Sequence, residues 1–452
     1  MQSTPQANFV NPAVRNECKW MLGLPVISSL HFEYGNPTAS IMQVLKKQPD
    51  NSYVFDGNEV MSQLGRTNYL NTEFHTNLFF LSLWRKNIFY TFTINEKVDL
   101  FLTYPRDLFA LGWQGNTQFE GKNADLSRSG LFFNYRREYA FGFAKPISDE
   151  TILGIRIKLL FGKLNTSMPK SSMNMLTAPN TFDLAFTNNL RMNASLPISI
   201  QTNANGNIQN VSYNGSISSI LLNRSNVGLA FDVGVINYHN DDVTISGSIL
   251  DLGVIRWSKG YSLNQNGQYT YHGPIGDTIA GEGYFNNLMR ILKNDFGITA
   301  TPKSYFSFLI PTYYVGGTYN LTEGLNAGAL VSGKISRYRV TSGLTLSLNK
   351  DFNKKAAVSI SWSYLYKSFK NIGAGVKLGK SPLQFYAVTD NVLGLIKPLD
   401  TKNINLRFGM QLNFGCSEQK KYKNTCGCAW LEKAEQRKQR DRKLLHKKRK
   451  DQ

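Results

Sequence analysis

The 452-residue sequence predicts an all-β fold: a transmembrane antiparallel β-barrel of about 14 strands, with short helical insertions and a helical C-terminal tail. Three observations predict it. Apolar residues alternate with small or polar ones at period two, over stretches about twice as long as the ordinary strand of roughly five to six residues. No apolar run reaches the ~18 residues that a membrane helix needs. Short turns alternate with long links, as in barrels that carry short turns on one rim and long loops on the other.

The alternation is clearest in five places. In 152–162, Leu153, Ile155, Ile157, Leu159 and Phe161 share a face opposite Gly154, Arg156, Lys158 and Gly162. In 227–235, Val227, Leu229, Phe231, Val233 and Val235 oppose Gly228, Ala230, Asp232 and Gly234. In 357–367, Val358, Ile360, Trp362, Tyr364 and Tyr366 oppose serines, and in 404–415 Leu406, Phe408, Met410, Leu412 and Phe414 oppose Arg407, Gly409, Gln411 and Asn413. The longest, 89–105, places Tyr90, Phe92, Ile94, Val98, Leu100, Leu102 and Tyr104 in phase. Eleven residues at ~3.3 Å each, tilted ~40°, rise roughly 28 Å, enough for an apolar band of ~25 Å. The second face is small as well as polar, which suits the interior of a barrel.

The strands expected on this basis are roughly 20–33, 72–84, 88–104, 131–143, 151–163, 183–200, 227–239, 242–255, 304–320, 323–335, 337–349, 355–367, 369–389 and 403–415. Helical signals fall at 38–46, 58–65, 106–113 and 284–293, the first two placed to cap or plug the lumen. Trp20, Trp84, Tyr104, Trp257 and Tyr366 lie near segment ends and are expected in interfacial girdles.

Hydrophobic content of 42% and a mean hydropathy of −0.29 suit a barrel that hides half of each strand from lipid. Met1–Val10 has neither a basic stretch nor an apolar core, so export expects a signal already removed or lying upstream of this start. The chain divides into a barrel over 1–416 and a basic segment over 417–452. From Cys416 onward there are 13 Lys and Arg against 5 Asp and Glu, within a net charge of +20. The tail is rich in helix formers without an apolar stripe. Placed in the periplasm after the last strand, it would meet anionic lipid head groups, proteins or cell-wall polymer, and no nucleic acid.

Three stretches carry a resemblance. They are Asn11-Pro12-Ala13 with Glu17-Cys18-Lys19-Trp20 and Gly23-Leu24-Pro25; Arg137-Glu138-Tyr139-Ala140 with Gly142; and Asp390-Asn391-Val392-Leu393-Gly394-Leu395 with Arg407-Phe408-Gly409 and Asn413-Phe414-Gly415-Cys416. Together they resemble a Bacteroidota outer-membrane barrel family of unknown function, related in architecture to FadL-type and PorV-type barrels. The resemblance implies a FadL-like barrel in the outer membrane with an N-terminal segment inside it. In FadL-type relatives that segment is a hatch beside a lateral opening. Asn11, Pro12 and Ala13 are the plug candidates.

The charges expected on the lumen face are Asp99, Arg136, Glu138, Arg156, Lys158, Asp232 and Arg407. They read either as a constriction that selects solutes or as pairs that fill the barrel. The five histidines, His31, His75, His239, His272 and His446, fall in no catalytic or metal-binding motif. No enzyme, cofactor or metal site is therefore expected. Cys416 is expected to pair with Cys426 or Cys428 in an oxidising compartment, with metal binding and free thiols as the other readings. Two functions remain: a FadL-like barrel binding or passing small hydrophobic molecules, with membrane lipids as its surroundings, or a non-transporting accessory barrel docked on a secretion or gliding machine through its tail.

Overall fold

The computed structural model describes residues 7–416 apart from 17, 272–296, 338, 353, 354 and 380. Fourteen strand positions close into a ring, with every neighbouring pair antiparallel. Position β1 comes in two halves, Cys18–Gly23 and Leu30–Gly35. β2 (Thr67–Arg85), β3 (Ile88–Pro105), β4 (Gly130–Pro146) and β5 (Thr151–Thr177) follow. Next come β6 (Asn226–Tyr238), β7 (Val243–Trp257), β8 (Thr312–Thr322) and β9 (Leu325–Ile335). β10 (Val340–Phe352), β11 (Ala356–Leu365), β12 (Ser368–Leu378), β13 (Leu383–Thr389) and β14 (Asn403–Cys416) complete the ring. Both halves of β1 bridge β14 and β2, so the sheet has no open seam there.

Four expected strands differ from what is built; one of them, 304–320, is broken at 309–311 into Tyr305–Phe308 and Thr312–Thr322, both paired to β7. The segment 20–33 is interrupted because Leu24–Ser29 bulges out of the wall around Pro25, with Val26 at φ +67°. The segment 369–389 is two strands, β12 and β13, separated by a turn with a cis Ser381-Pro382 bond. The segment 183–200 adds no ring position. Leu184–Ser195 instead stacks above β6 along the upper half of β5, which runs for 27 residues. Tyr261–Tyr271 and Thr299–Pro302 continue that taller wall.

Short turns gather at one rim, with both barrel ends of the chain, Cys18 and Cys416, beside them. The opposite rim carries the long links, together with two short turns after β9 and β11. Helices form there over Ile41–Val44, Gly57–Gln63 and Arg106–Gln114. A Ser40–Gln43 capping box starts the first, and the Asp56 side chain caps the second. Lys46 and those amide donors hold the Asp56 carboxyl below its ordinary value. The 284–293 helix signal and the tail lie outside the described residues. Among the described residues no helix is long and apolar enough to cross a membrane.

Parity fixes the two faces. Val227, Leu229, Phe231, Val233 and Val235 are exposed, while Gly228, Ala230, Asp232 and Gly234 are buried. The same outward apolar exposure continues at Phe141, Ile157, Val331, Leu346, Ile360, Phe385 and Phe408. Three expected girdle aromatics instead lie inside. Trp84 lines the lumen and Trp257 is fully buried over Gly162. Tyr366 sits at positive φ in the two-residue turn after β11, which reverses its side chain inward.

Candidate functional site

The interior holds a cavity of about 2050 Å³. Its lining runs from the short-turn residues Asp242, Glu323, Gly324 and Lys355 up to Tyr69 and Tyr366. On β8–β10 the wall is small and polar, with Gly316, Thr318, Gly328, Ser332, Thr345 and Ser347 facing in. This stretch of wall differs from the aliphatic exterior.

A belt of charge crosses the lumen near mid-height, and strand register builds it. Arg407, His31, His75, Lys97 and Arg136 stand on one rung of β14, β1, β2, β3 and β4. Two residues nearer the long-loop rim, Asn405, Glu33, Glu73, Asp99 and Asn134 form the next rung on the same strands. A basic row thus lies directly beneath an acidic one. Arg136 bonds Asp99 and, at 2.8 Å, Glu138. Lys97 lies 3.2 Å from Glu138. His75 Nε2 is 2.7 Å from an Asp99 oxygen.

Other contacts tie one wall to another. Asp251 projects from β7 and meets Lys158 at 2.5 Å and Lys97 at 3.3 Å. It occupies a bulge at φ +59°, which turns its carboxylate into the lumen out of the strand's regular phase. Lys334 reaches from β9, on the opposite side of the ring, to Glu73 and lies 3.8 Å from Glu33. The Tyr366 hydroxyl donates to Glu33.

Of the seven expected lumen charges, Asp99, Glu138, Arg156, Lys158 and Arg407 line the cavity, and Arg136 and Asp232 are buried in ion pairs beside them. Six form the paired network, and Arg407 lines the cavity directly opposite His31. The structure brings in Glu33, Glu73, Lys97, Asp251 and Lys334 as well, along with His31 and His75.

The N-terminal segment sits inside the barrel below this belt. Arg156 bonds Asp232 at 3.1 Å and donates to the Asn8 carbonyl at 2.6 Å, joining wall to segment. Asn11 donates to the Val235 and Gly247 carbonyls, and Ser248 donates to that of Val10. Ala13 is fully buried with Val14 among Phe89, Ala144, Ile152 and Ile236. The approach needs glycine in the wall. A Cβ on Gly154 would lie 2.3 Å from the Ala13 nitrogen, and one on Gly234 would lie 2.0 Å from the Asn11 side-chain oxygen. Asn11, Pro12 and Ala13 thus touch β5 and β6 directly.

The expected cysteine pairing is corrected. Cys416 is joined to Cys18, its register partner on β1, and not to Cys426 or Cys428. Closure of the ring brings the two strands together across 398 residues of sequence. Cys426 and Cys428 lie outside the described residues.

A second cavity, of about 520 Å³, lies on the outer side of the long-loop rim. The outward residues Leu102, Leu131 and Met168 form its floor. Phe55 and the helix residues Leu108, Phe109 and Trp113 border it. Gly112 lines it too, with nothing within 4 Å of where its Cβ would stand.

No curated protein matches the chain. Among solved structures, it is similar to a FadL homologue of Pseudomonas aeruginosa at 11% identity, covering 92% of this chain and 95% of that one, with a TM-score of 0.38. It is similar to the Pseudomonas putida toluene transporter TodX at 8% identity, covering 90% and 92%, with a TM-score of 0.38. For the translocator domain of the autotransporter NalP from Neisseria meningitidis the identity is 9%, the coverage 89% and 91%, and the TM-score 0.32. The family of unknown function DUF5723 matches residues 12–390, and the chain belongs to it.

Proposed function

We propose that this chain is an outer-membrane β-barrel that binds small hydrophobic molecules at its long-loop rim, in a FadL-like way. A closed ring with aliphatic and aromatic side chains all round its outside is a surface suited to lipid. Short turns and both barrel ends on one rim, and long links on the other, fit a periplasmic and an outer face respectively.

The observation that carries the binding reading is the 520 Å³ groove walled by Phe55, Leu102, Leu108, Phe109, Trp113, Leu131 and Met168. Its volume falls within the ~300–1,000 Å³ of small-molecule sites, and it lies where the outer leaflet would meet the loops. The main lumen is a poor path for the same molecules. Its middle is crossed by ion pairs, so an apolar solute would have to displace charges that need their partners. Capture at the outside of the wall is the reading that agrees with both cavities.

Gly112→Leu tests it. The side chain would project into the groove, and leucine favours the helix over glycine by roughly 0.5–1 kcal/mol. The variant should fold at least as well as the parent and lose binding of an apolar fluorescent probe, followed through Trp113 emission. Folded wild-type barrel that binds no apolar probe would sink the proposal and leave the non-transporting accessory role.

A further inference from the structure

We propose that the lumen holds a site for one divalent transition-metal ion, formed by His31, His75 and Glu73. These three offer ligand atoms that all lie within 4.8 Å of one another. Each lines the main cavity, so an ion has access. His31 and His75 are direct cross-strand partners with ring centroids 5.4 Å apart, and Glu33 faces Glu73 on the adjacent rung. Two imidazoles and a carboxylate, with water completing the shell, form a donor set suited to Zn²⁺ and its first-row neighbours.

Two further observations point to a ligand here. The His31 side chain is more than nine-tenths buried, yet its Nδ1 makes no hydrogen bond among the described residues. A buried ring nitrogen without a partner is costly, and metal ligation would satisfy it. His75 is also held at Nε2 by Asp99, 2.7 Å away, a carboxylate–imidazole pairing of the kind that orients metal-bound histidines.

The opposed carboxylates of Glu33 and Glu73 repel across the strand pair. In the metal-free protein Lys334 compensates them from the opposite wall. A dication at Glu73 would take over that role, so ammonium and metal compete for one carboxylate. Binding would thereby weaken a tether between β9 and β2. The site stands independently of the rim groove.

The test uses the full chain in detergent, stripped of metal by chelator, with heat-modifiable migration as the check on folding. Calorimetric titration with ZnCl₂ should give one ion per barrel, and Co²⁺ should give a visible spectrum of nitrogen and oxygen ligation. Asp99→Asn should weaken binding about 10–100-fold as a supporting residue, and His31→Gln and His75→Gln should weaken it more. Lys334→Met should tighten it. A Cys426→Ser/Cys428→Ser variant should bind as the parent does, separating the lumen from the cysteines of the tail. If the histidine variants do not fold, X-ray absorption on the Zn²⁺-loaded parent should still count two imidazole ligands. Folded protein that binds no stoichiometric metal overturns the site. So does binding that survives both histidine changes and vanishes with the two cysteines.

Discussion

At the scale of single residues, Asp251 does most to organise the lumen. It meets Lys97, Arg136 and Lys158, which come from three different strands. Asp251→Asn should be a clean probe of that charge, because asparagine tolerates positive φ at least as well as aspartate does. The variant should keep the bulge and leave three buried cations under-compensated. The expected loss is on the order of 3 kcal/mol, read as a lower temperature for the shift from folded to unfolded migration. An unchanged transition would mean that the neighbouring carboxylates suffice. Asp251 was not legible in the sequence because period two assigns it outward, between the inward Leu250 and the exposed Leu252. Asp99, Arg136, Glu138, Arg156, Lys158, Asp232 and Arg407 are candidates in the sequence because they fall on the face opposite the apolar one. A stronger signal lay unread beside them: His31-x-Glu33, Glu73-x-His75, Lys97-x-Asp99 and Arg136-x-Glu138 are all charged or titratable pairs two apart. In a strand that spacing puts both members on one face; the first three pairs announce the two-row belt, and Arg136-x-Glu138 sets a carboxylate on the other side of the basic row, opposite Asn95. Scanning histidines for catalytic motifs alone passed over it.

At the scale of elements, periodicity located most of the ring and failed where the wall changes course. A strand interrupted by a bulge, as β1 is at Leu24–Ser29, keeps its composition while losing its regular ladder, and only scattered backbone bonds to Asn77 and Met410 remain. Consecutive strands such as β12 and β13, with only a four-residue turn between them, read as one long run. The upper half of β5 escaped notice because Thr166–Thr177 carries polar residues on both faces, so alternation fades although pairing with Leu184–Ser195 continues. The N-terminal segment is an element that the alternation could not place, and only the resemblance did so. Its packing yields a prediction. Gly154→Leu puts a side chain where the backbone of Pro12 and Ala13 now runs, and neither the wall nor that backbone has room to yield. The segment should leave the lumen while the barrel stays closed. Added protease should then cut near the N-terminus, and liposomes bearing the variant should swell faster in small sugars than those bearing the parent. A variant as protected as the parent would show that the segment repacks around the new side chain.

At the scale of the whole molecule, closure decides what the ends of the chain do. A barrel removes its sheet edges only if its first and last strands meet. Here the first strand is the weakest stave, being two six-residue halves on either side of a bulge, whereas its neighbour β2 has 19 residues. The Cys18–Cys416 bond fastens that stave to β14 at the short-turn rim, just where the pairing begins. Sequence could not show the bond, since nothing local links residues 398 apart, and the nearer Cys426 and Cys428 made a small loop the natural expectation. Its thermodynamic effect has an upper bound. Closing so long a loop constrains the unfolded chain by an entropic ceiling of about 6 kcal/mol, and the β1–β14 ladder already supplies part of the restraint in the folded state. Cys18→Ser should therefore fold into a closed barrel at room temperature and lose its heat-modifiable form at a lower temperature than the parent. Reductant should lower the parent to the variant's value and leave the variant where it is. Identical transitions in all four samples would show that strand pairing alone closes the ring.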